Sequence, residues 1–544
     1  MSGSITLENR FGVNKMELIS LKYAIFVIVL LVLYYCFPKK YRWYVLLAGS
    51  MAYYVIICKW YVLFIIFTIC TTYGSTIWID KLLKEQNAIV KSHKEDWDRQ
   101  TRKEYKEKGR KKRVAVMLFA LLCNFGILAF LKYIPYAGEL GLLLPLGISF
   151  YTFQSMGYVM DVYREIVEPE KNFLKVALFV SFFPQIIQGP IAIYDKLAGQ
   201  LYEGHSLRLE NLQKGALLVL WGVMKKLVIA DRAVNIINFV MDKPMDFSGT
   251  YVFFAAVVYA LQLYADFSGG IDIVRGIAEM FGITMSTNFN HPYFSRSLTE
   301  YWHRWHMTLG DWCRNYIFYP LSISKRFLNF GKWLKPRFGA HISKVLPGCI
   351  ASVITFIVIG VWHGANMKYL CFGLWNGIVI MLAELFAPVN KKVAGGFFKL
   401  TGLREKGIFA TIVSVLWTFM LILVGYYFDI AANASTAFHM LFKSVTDFHI
   451  SELGINNIIL NLGACGLDEY DILLLIICTL LWFFISFVEE NKKLDMRDFI
   501  LSRKLPLRWA IIYLGIFIVI IFGYYGPGVN PADFVYMPVS YTHL

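Results

Sequence analysis

A histidine closes one of the most apolar runs in this sequence. The run extends from Ile350 to Trp362, and His363 and Gly364 follow it directly. An imidazole is neutral at modest cost in an apolar environment and can accept a proton near neutral pH, while a glycine lets a substrate or a backbone approach closely. The spacing leaves two interpretations open: His363 is a general base, or it is a buried histidine that hydrogen bonds to a neighbouring helix.

An aromatic segment from Glu300 to Arg314 contains two further histidines, His303 and His306. If the segment is one helix, three tryptophans and a leucine fall on a single stripe, which is typical of an amphipathic helix at a membrane interface. Two histidines are too few for a di-iron site and no H-E-x-x-H pattern is present, so a metal site is not expected. The stripe consists of Trp302, Trp305, Leu309 and Trp312.

A carboxylate and two glycines interrupt another apolar run. The sequence reads YADFSGGID from Tyr264 to Asp272. Because Asp and Ser are favourable helix N-caps, we expect Asp266 or Ser268 to cap a second helix that begins here. The same geometry would direct the free N–H groups of that helix into the protein interior.

The composition identifies lipid as the solvent of most of this chain. Of 544 residues, 57% are hydrophobic and 17% are charged, compared with roughly 25% charged residues in soluble domains. This excludes disorder, collagen and a coiled coil. The net charge of +16 is typical of Lys and Arg in cytosolic loops and requires no nucleic acid partner. The nine cysteines are scattered without a C-x-x-C pair, which predicts core residues rather than a zinc site.

Apolar runs of nearly membrane-spanning length recur along the whole sequence. Others are short or contain Pro and Gly, and a backbone broken at membrane depth must be covered by protein or line a wet cavity. We find no internal repeat and no soluble domain in the sequence. The strong runs are 21–37, 60–79, 114–134, 250–265, 348–362, 369–388, 408–428, 471–488 and 509–525, and the interrupted ones are 43–58, 139–160, 173–195, 214–230 and 270–283.

The distribution of charge predicts the orientation. Residues 81–113 carry thirteen Lys or Arg and six Asp or Glu, so this loop is expected in the cytosol as a solvated helical hairpin. A second basic loop, with Lys39, Lys40 and Arg42, lies two predicted spans earlier in the sequence. Because an even number of spans separates the two loops, both are expected on the same side of the membrane. The N-terminus is therefore expected outside, and the first apolar run, which lacks a cleavage site, is expected to remain as a membrane anchor.

Longer blocks of the sequence resemble the membrane-bound O-acyltransferase (MBOAT) family. The main block is NFNHPYFSRSLTEYWHRWHMTLGDWCRNYIFYPL from Asn288 to Leu321, and VWHGANMKYLCFGLWNG follows at 361–377. Further similar blocks are LPLGISFYTFQSMGYVMDVYR at 144–164, FFPQIIQGPI at 182–191 and DFSGGIDIVRGIAEMFGI at 266–283. The resemblance is to the bacterial branch that contains alginate O-acetylation proteins and the D-alanyl transfer protein of teichoic acid modification.

The resemblance implies an all-α, polytopic integral membrane protein. Its fold would have about eleven transmembrane helices with short re-entrant and interfacial helices around a central tunnel. A polar segment at 1–20 would precede a single MBOAT membrane domain at 21–537, in which 81–113 is the basic cytosolic loop and 284–377 the catalytic histidine region. The last residues, 538–544, read like translated adapter DNA and are expected to be an artefact.

The family's two functional histidines match His363, in a W-H-G motif, and His306, in an R-W-H motif, whereas His303 has no counterpart. The resemblance implies direct acyl transfer without an acyl-enzyme intermediate. His363 would remove the proton of an acceptor hydroxyl as its oxygen attacks a thioester carbonyl, and His306 would orient the acceptor or stabilise the tetrahedral intermediate. Further candidates for the lining of the tunnel are Trp362, Asn366, Trp305, Asp266, Ser268 and Arg314.

The acyl donor is expected to be acetyl-CoA or a phosphopantetheinyl carrier thioester that arrives from the cytosol, with no permanently bound cofactor and no metal. Asn315 replaces a carboxylate that relatives carry and that would have paired with Arg314. Basic residues after this segment are candidates for binding the phosphates of the donor, although positive-inside topology predicts the same residues without any binding. These are Lys325, Arg326 and Lys332.

The resemblance implies transfer of an acyl group, with acetyl favoured, to hydroxyls of an exported or cell-wall polysaccharide at the bacterial cytoplasmic membrane. The alternative within the class is D-alanyl transfer from a carrier protein to teichoic acid. Outside the class, a transporter or flippase would also place polar residues and broken helices in the membrane, and a glycosyltransferase would need a D-x-D motif that the sequence lacks. Expected partners are membrane lipid, the polymer acceptor, and a secreted acyltransferase or an acyl carrier protein.

Overall fold

The structure is a computed structural model that describes residues 18–134, 142, 144–401, 404, 407–454, 457, 465–526 and 534. Over these residues it consists of helices, turns and loops and contains no strand. The predicted all-α class is therefore confirmed. The polar segment 1–20, apart from its last three residues, and the tail 538–544 lie outside the described residues.

The chain divides into two compact units. The first consists of the described residues in Met1–Val219, Gly270–Ser286 and Asp533–Leu544, and the second of those in Leu220–Gly269 and Thr287–Ala532. The helices that lie wholly in the first unit are α1 (Leu21–Cys36), α2 (Arg42–Cys58), α3 (Val62–Ser92), α4 (Arg99–Tyr133), α5 (Ile148–Tyr163), α6 (Phe173–Ser181), α7 (Phe183–Gln188) and α8 (Tyr194–Glu203).

The remaining helices belong wholly or partly to the second unit. The division of the chain falls inside α9 (Leu209–Met224) and α11 (Gly249–Met280). Two π-helical segments, Lys225–Ala230 and Arg314–Phe318, interrupt the α-helices. The others are α10 (Asp231–Met241), α12 (Leu298–Arg304), α13 (Met307–Cys313), α14 (Tyr319–Ser322), α15 (Lys325–His363), α16 (Met367–Leu385), α17 (Ala387–Thr401), α18 (Ile408–Ile430), α19 (Ala434–Thr446), α20 (Glu469–Lys492), α21 (Met496–Leu501) and α22 (Leu505–Phe522).

Eight stretches among the described residues are long and apolar enough to cross a membrane. Each of the nine strong apolar runs in the sequence lies in or overlaps a helix. Two shorter apolar stretches, Leu21–Cys36 and Phe173–Gln188, accompany them. The eight are Lys39–Ser92, which contains α2 and α3, and Arg99–Tyr133, Gly249–Met280, Lys325–His363, Met367–Leu385, Ile408–Ile430, Glu469–Lys492 and Leu505–Phe522.

The interrupted run at 173–195 forms the two short helices α6 and α7, which meet at Phe182. Every residue of α7 is buried. The amide of Phe183, at the break, donates to Ser50 Oγ at 3.1 Å, and the side chain of Gln154 donates to the carbonyl of Phe179 at 2.6 Å. The broken backbone is therefore covered by protein and finds polar partners, as membrane depth requires.

The basic loop 81–113 is a helical hairpin of α3 and α4. Asp98 caps α4 by accepting a hydrogen bond from the amide of Thr101 at 2.9 Å. A Cβ atom at Gly109 would lie 2.0 Å from Gln86 Oε1, so this glycine makes room for the Gln86 side chain between the two helices. The hairpin predicted from the sequence is confirmed, and its position in the cytosol stays a prediction.

Glycines also bring α15 and α16 into close contact. A Cβ atom at Gly360 would lie 2.3 Å from the carbonyl oxygen of Tyr369, and one at Gly373 would lie 2.4 Å from that of Phe356. Small residues at such positions let two backbones pack at short distance, which strengthens helix association in lipid. This contact fixes the C-terminal turn of α15, where His363 lies.

The prediction that a new helix starts near Asp266 or Ser268 is wrong. Helix α11 continues without interruption from Gly249 to Met280, so the run at 270–283 is its C-terminal part. Both side chains accept hydrogen bonds from lysines instead of capping a helix. A Cβ atom at Gly269 would lie 2.9 Å from the carbonyl oxygen of Gly222, so this glycine serves close helix packing rather than a helix start.

The segment 300–314 is not the single amphipathic helix that the aromatic stripe predicts. It breaks at Trp305 and His306, between α12 and α13. The amide of Met307 donates to the carbonyl of Asn288 at 2.9 Å, so a bond to an earlier segment replaces a helical one. Spacing alone could not reveal this bond, because it joins parts of the chain that are distant in sequence.

Candidate active site

His363 is the last residue of α15 and is half-buried. Its ring packs on two aromatic rings of α16, with centroid distances of 6.0 Å to Tyr369 and 5.4 Å to Phe372. A Cβ atom at Gly364 would lie 2.5 Å from the Tyr369 ring, so the close approach expected at this glycine is made by an aromatic side chain of the protein. These contacts hold the imidazole without covering it completely.

His306 lies in the sharp turn between α12 and α13. Its φ of 41° and ψ of 51° are left-handed, which costs a non-glycine residue roughly 1–2 kcal/mol. The side chain is 3% exposed, and the ring of Phe267 meets it edge to face at 4.9 Å. The fold therefore maintains an unfavourable backbone conformation that turns this histidine into the interior of the second unit.

Asn288 fixes the tautomer of His306. Its Oδ1 receives hydrogen bonds from Thr308 Oγ1 at 2.9 Å and from the Thr308 amide at 3.2 Å, and it lies 3.1 Å from His306 Nδ1. The backbone amide is only a donor, so the atom that it meets is the side-chain oxygen. A nitrogen that faces an oxygen acceptor carries the proton. His306 therefore has its hydrogen on Nδ1 and, when neutral, a lone pair on Nε2.

His306 is neutral over the physiological pH range. Burial, and to a smaller extent the nearby His363, lower its pKa to about 3. The ring of Trp362 contacts both histidines, with centroid distances of 6.2 Å to His306 and 4.8 Å to His363. The second unit thus brings together two imidazoles from distant parts of the sequence around one indole.

A buried ionic cluster holds the part of α11 that contacts His306. The ammonium of Lys226 lies 2.7 Å from Asp266 Oδ1 and 2.9 Å from Asp231 Oδ1, and Lys225 donates to Ser268 Oγ at 2.8 Å. All five side chains are at most 3% exposed. Separating the partners would leave buried charges uncompensated, so the cluster disfavours movement of these helices apart. Phe267, next to Asp266, is thereby held against His306.

Residues 169–335 match the sequence model of the MBOAT, membrane-bound O-acyltransferase, family. The chain is 30% identical over 315 residues to the probable alginate O-acetylase AlgI of Pseudomonas syringae pv. tomato. The aligned segment covers 57% of this chain and 54% of that protein. It is also 30% identical over 314 residues to the peptidoglycan O-acetyltransferase of Helicobacter pylori. Here the aligned segment covers 51% of this chain and 56% of that protein. The match to the family model covers less than a third of the chain.

A third relative is less similar. Over 288 residues the chain is 26% identical to the teichoic acid D-alanyltransferase of Bacillus subtilis. The aligned segment covers 52% of this chain and 67% of that protein. The chain spans little more than half the length of the first two relatives. The segment that matches the MBOAT model contains His306 and ends before His363. The candidate membrane-spanning helices, together with this match, indicate a multi-pass membrane protein.

The other tunnel candidates have diverse environments. Trp305 is buried and stacks on Tyr301 at 5.6 Å. Arg314 pairs with Asp311 on the preceding turn, so Asp311 supplies the carboxylate that is missing at position 315. Asn366 is exposed and caps α16 by accepting a hydrogen bond from the amide of Lys368 at 3.1 Å.

The remaining predicted residues lie at the surface. His303 is exposed and contacts Arg314 at 3.4 Å, while His306 is buried, so these two histidines do not face a common site. The three donor-binding candidates occupy the first turns of α15, where their side chains are exposed and form no ion pair with the described residues. They are Lys325, Arg326 and Lys332.

Sequence reasoning missed the residues that position His306. Asn288 lies inside the block that resembles the family, but no spacing rule indicates that its oxygen accepts from His306. Lys225 and Lys226 did carry a signal, because two adjacent lysines interrupt the apolar run 214–230 and charged residues at such positions are expensive. Asp231, a partner of Lys226, follows within one turn and a half of helix.

Proposed function

We propose that this protein is a membrane-bound O-acyltransferase that transfers an acyl group, with acetyl favoured, from a thioester to a hydroxyl group of an exported or cell-wall polysaccharide. The observation that carries the proposal is the convergence of half-buried His363 and buried, neutral His306 on Trp362 within the second unit. The names of the first two relatives, an alginate O-acetylase and a peptidoglycan O-acetyltransferase, support acetyl as the group.

His363 serves as the general base in this proposal. Its imidazole takes the proton of the acceptor hydroxyl as the oxygen attacks the thioester carbonyl, and the C–O bond forms. The C–S bond of the tetrahedral intermediate then breaks, and the departing sulfur takes the proton from the imidazolium. An ester and a free thiol result, and His363 returns to its neutral form. General-base assistance of this kind typically contributes about 10²- to 10⁴-fold to the rate.

His306 orients the acceptor. Its hydrogen lies on Nδ1 and bonds to Asn288, so neutral Nε2 can accept a hydrogen bond but cannot donate one to an oxyanion. Of the two roles that the sequence left open, acceptor orientation therefore fits the structure better. A group with a pKa of about 3 is also a weak base at neutral pH, which favours His363 for proton removal.

The donor and acceptor are identified by incubating the purified full chain with a radiolabelled thioester and a polysaccharide fraction. Labelled acetyl-CoA is expected to yield polymer-bound label that mild alkali releases as acetate. Free labelled acetate serves as the control and should transfer nothing. Absence of transfer from acetyl-CoA and from acyl carrier thioesters, with folded protein and several polymers, would contradict the proposed activity.

D-alanyl transfer to teichoic acid is the alternative, and the similarity to the Bacillus subtilis D-alanyltransferase supports it. The same experiment distinguishes the two. A D-alanyl carrier thioester that labels teichoic acid, together with an inactive acetyl-CoA, would assign this function. The cellular site in either case is proposed to be the bacterial cytoplasmic membrane, where a cytosolic thioester and an exported polymer can meet.

A further inference from the structure

A cavity of about 800 Å³ lies along the hairpin of α3 and α4 in the first unit. Its volume is within the range of roughly 300–1,000 Å³ that holds small-molecule ligands. We call it the hairpin groove. None of its lining residues belongs to the candidate active site.

One face of α4 lines the hairpin groove. Seven residues of this helix contribute, and they recur at spacings of three and four, so their side chains share a face. Six of the seven are cationic. In a helical hairpin without a ligand, the face of α4 that is turned toward α3 is expected to carry apolar side chains, and the charged side chains are expected on the opposite, solvated face. The cationic residues are Arg99, Arg102, Lys103, Lys106, Arg110 and Arg113.

The protein compensates this charge only in part. Helix α3 contributes Leu83, Gln86 and Asn87 to the lining, none of which is charged, and the two carboxylates of the lining are Glu107 and Glu165. Six cationic and two anionic side chains leave a surplus of four positive charges. No ion pair of Arg99, Lys103 or Lys106 is found among the described residues, so like charges repel across a concave surface.

Arg113 is the one buried cation among the residues that line the hairpin groove. Its side chain is 7% exposed, whereas most of the other cationic residues are exposed. Its NH1 donates to Glu165 Oε1 at 2.9 Å, and its Nε has no acceptor among the described residues. Phosphate oxygens match the planar set of donors of a guanidinium, and the groove already supplies one anionic partner in Glu165.

We propose that the hairpin groove binds a small ligand that carries several phosphate groups. Arg113 contacts one phosphate, and the exposed Lys103 and Lys106 neutralise further phosphates. Two sources supply this chemistry: a soluble nucleotide-like molecule and the headgroup of an anionic phospholipid. The proposal does not depend on acyl transfer, since binding is measured without any acyl donor or acceptor.

The test measures binding of adenosine 3′,5′-bisphosphate to the purified full chain by equilibrium dialysis. Arg113→Gln and the exposed double variant Lys103→Gln/Lys106→Gln are each expected to weaken binding by about tenfold or more. Lys111→Gln is the matched control, because Lys111 is an exposed cation of the same helix outside the groove. It should change binding less than threefold. The double variant leaves the Arg113–Glu165 pair intact. A loss of binding in this variant can therefore not be attributed to misfolding caused by breaking that pair.

A second arm identifies the source of the phosphate. The chain is placed in nanodiscs of phosphatidylcholine with or without cardiolipin, whose headgroup carries two phosphates, and binding of the same probe is compared. Competition by cardiolipin that Arg113→Gln abolishes assigns a lipid headgroup, while binding indifferent to cardiolipin assigns a soluble ligand. Either result supports a phosphate site. Absence of saturable binding in both arms, or an equal loss in Lys111→Gln, would overturn it.

Discussion

At the scale of residues, the two histidines differ in the way they are held. His363 is half-buried between aromatic rings, whereas His306 is buried, left-handed and bonded to Asn288. The sequence identified both histidines because their motifs are local. It could not identify the tautomer of His306, since this depends on a hydrogen bond across a turn that tertiary contacts impose.

Replacing Asn288 should impair transfer while the protein stays folded. Asn288→Leu removes the oxygen that holds His306 Nδ1–H, and we expect activity to fall by about 10- to 100-fold, as when partners of metal-bound imidazoles are removed. Asn288→Asp retains an acceptor and should recover part of the activity. Its charge should also raise the pKa of His306, which would appear as a new ionisation in the pH–rate profile. An unchanged profile in Asn288→Asp would contradict this role.

The buried, neutral state of His306 predicts a stability that depends on pH. In the unfolded chain its pKa is about 6.5, and in the folded protein burial lowers the pKa to about 3. Below pH 6.5 the unfolded state therefore binds a proton that the folded state does not. The free energy of unfolding should fall by about 2 kcal/mol from this group between pH 7.5 and pH 5.

Thermal unfolding in detergent at the two pH values measures this effect. His306→Asn is a suitable comparison, since Asn does not titrate, tolerates a positive φ and retains a nitrogen that donates to Asn288. The wild type should lose more stability than this variant on acidification. Equal losses in both proteins would show that His306 is already protonated in the folded state or is not buried.

At the scale of elements, hydrophobic runs located the helices, and tertiary contacts decided where they break. Each strong apolar run became part of a helix because lipid requires internal backbone hydrogen bonds. The helix start predicted near Asp266 failed because the carboxylate is paired with Lys226, a partner distant in sequence. The predicted helix through Trp305 failed because Met307 bonds to Asn288.

Close packing of α15 and α16 should be sensitive to a single methyl group. In Gly360→Ala the new Cβ would lie 2.3 Å from the Tyr369 carbonyl oxygen, so the helices must separate, at a cost of about 1–3 kcal/mol. Because Gly360 lies one turn before His363, transfer should fall as well. The measurements are the unfolding midpoint in detergent and the initial rate of transfer.

Gly348→Ala is the matched control for this prediction. Gly348 lies in the same helix, and a Cβ atom there meets nothing within 4 Å. Alanine is favoured over glycine in a helix interior by up to about 1 kcal/mol, so this variant should be as stable as the wild type or slightly more stable. If the two variants behaved alike, the close contact at Gly360 would not support the packing of α15.

At the scale of the whole molecule, composition alone determined the class of protein. A chain with 57% hydrophobic and 17% charged residues must place most of its surface in lipid, and the helices of the structure agree. Composition could not predict that cationic residues of α4 line a cavity. That finding needs the register between the two helices of the hairpin, which is a property of the folded chain.

The positive charge of the α3–α4 hairpin predicts its side of the membrane. An epitope tag inserted between Lys94 and Glu95, in the exposed turn of the hairpin, should be inaccessible to antibody in intact cells and become accessible after permeabilisation. Labelling of intact cells would place the hairpin outside. The orientation derived from charge would then be wrong, and a cytosolic ligand could not reach the hairpin groove.

The central claim is that the imidazole of His363 removes the proton from the acceptor, and the transfer rate of purified His363→Ala tests it most directly. The account predicts a loss of about 10²- to 10⁴-fold in a protein that keeps the elution volume and unfolding midpoint of the wild type. His439→Ala, which removes an exposed histidine of α19, should retain full activity. Retention of more than a few per cent of activity in His363→Ala would contradict the account.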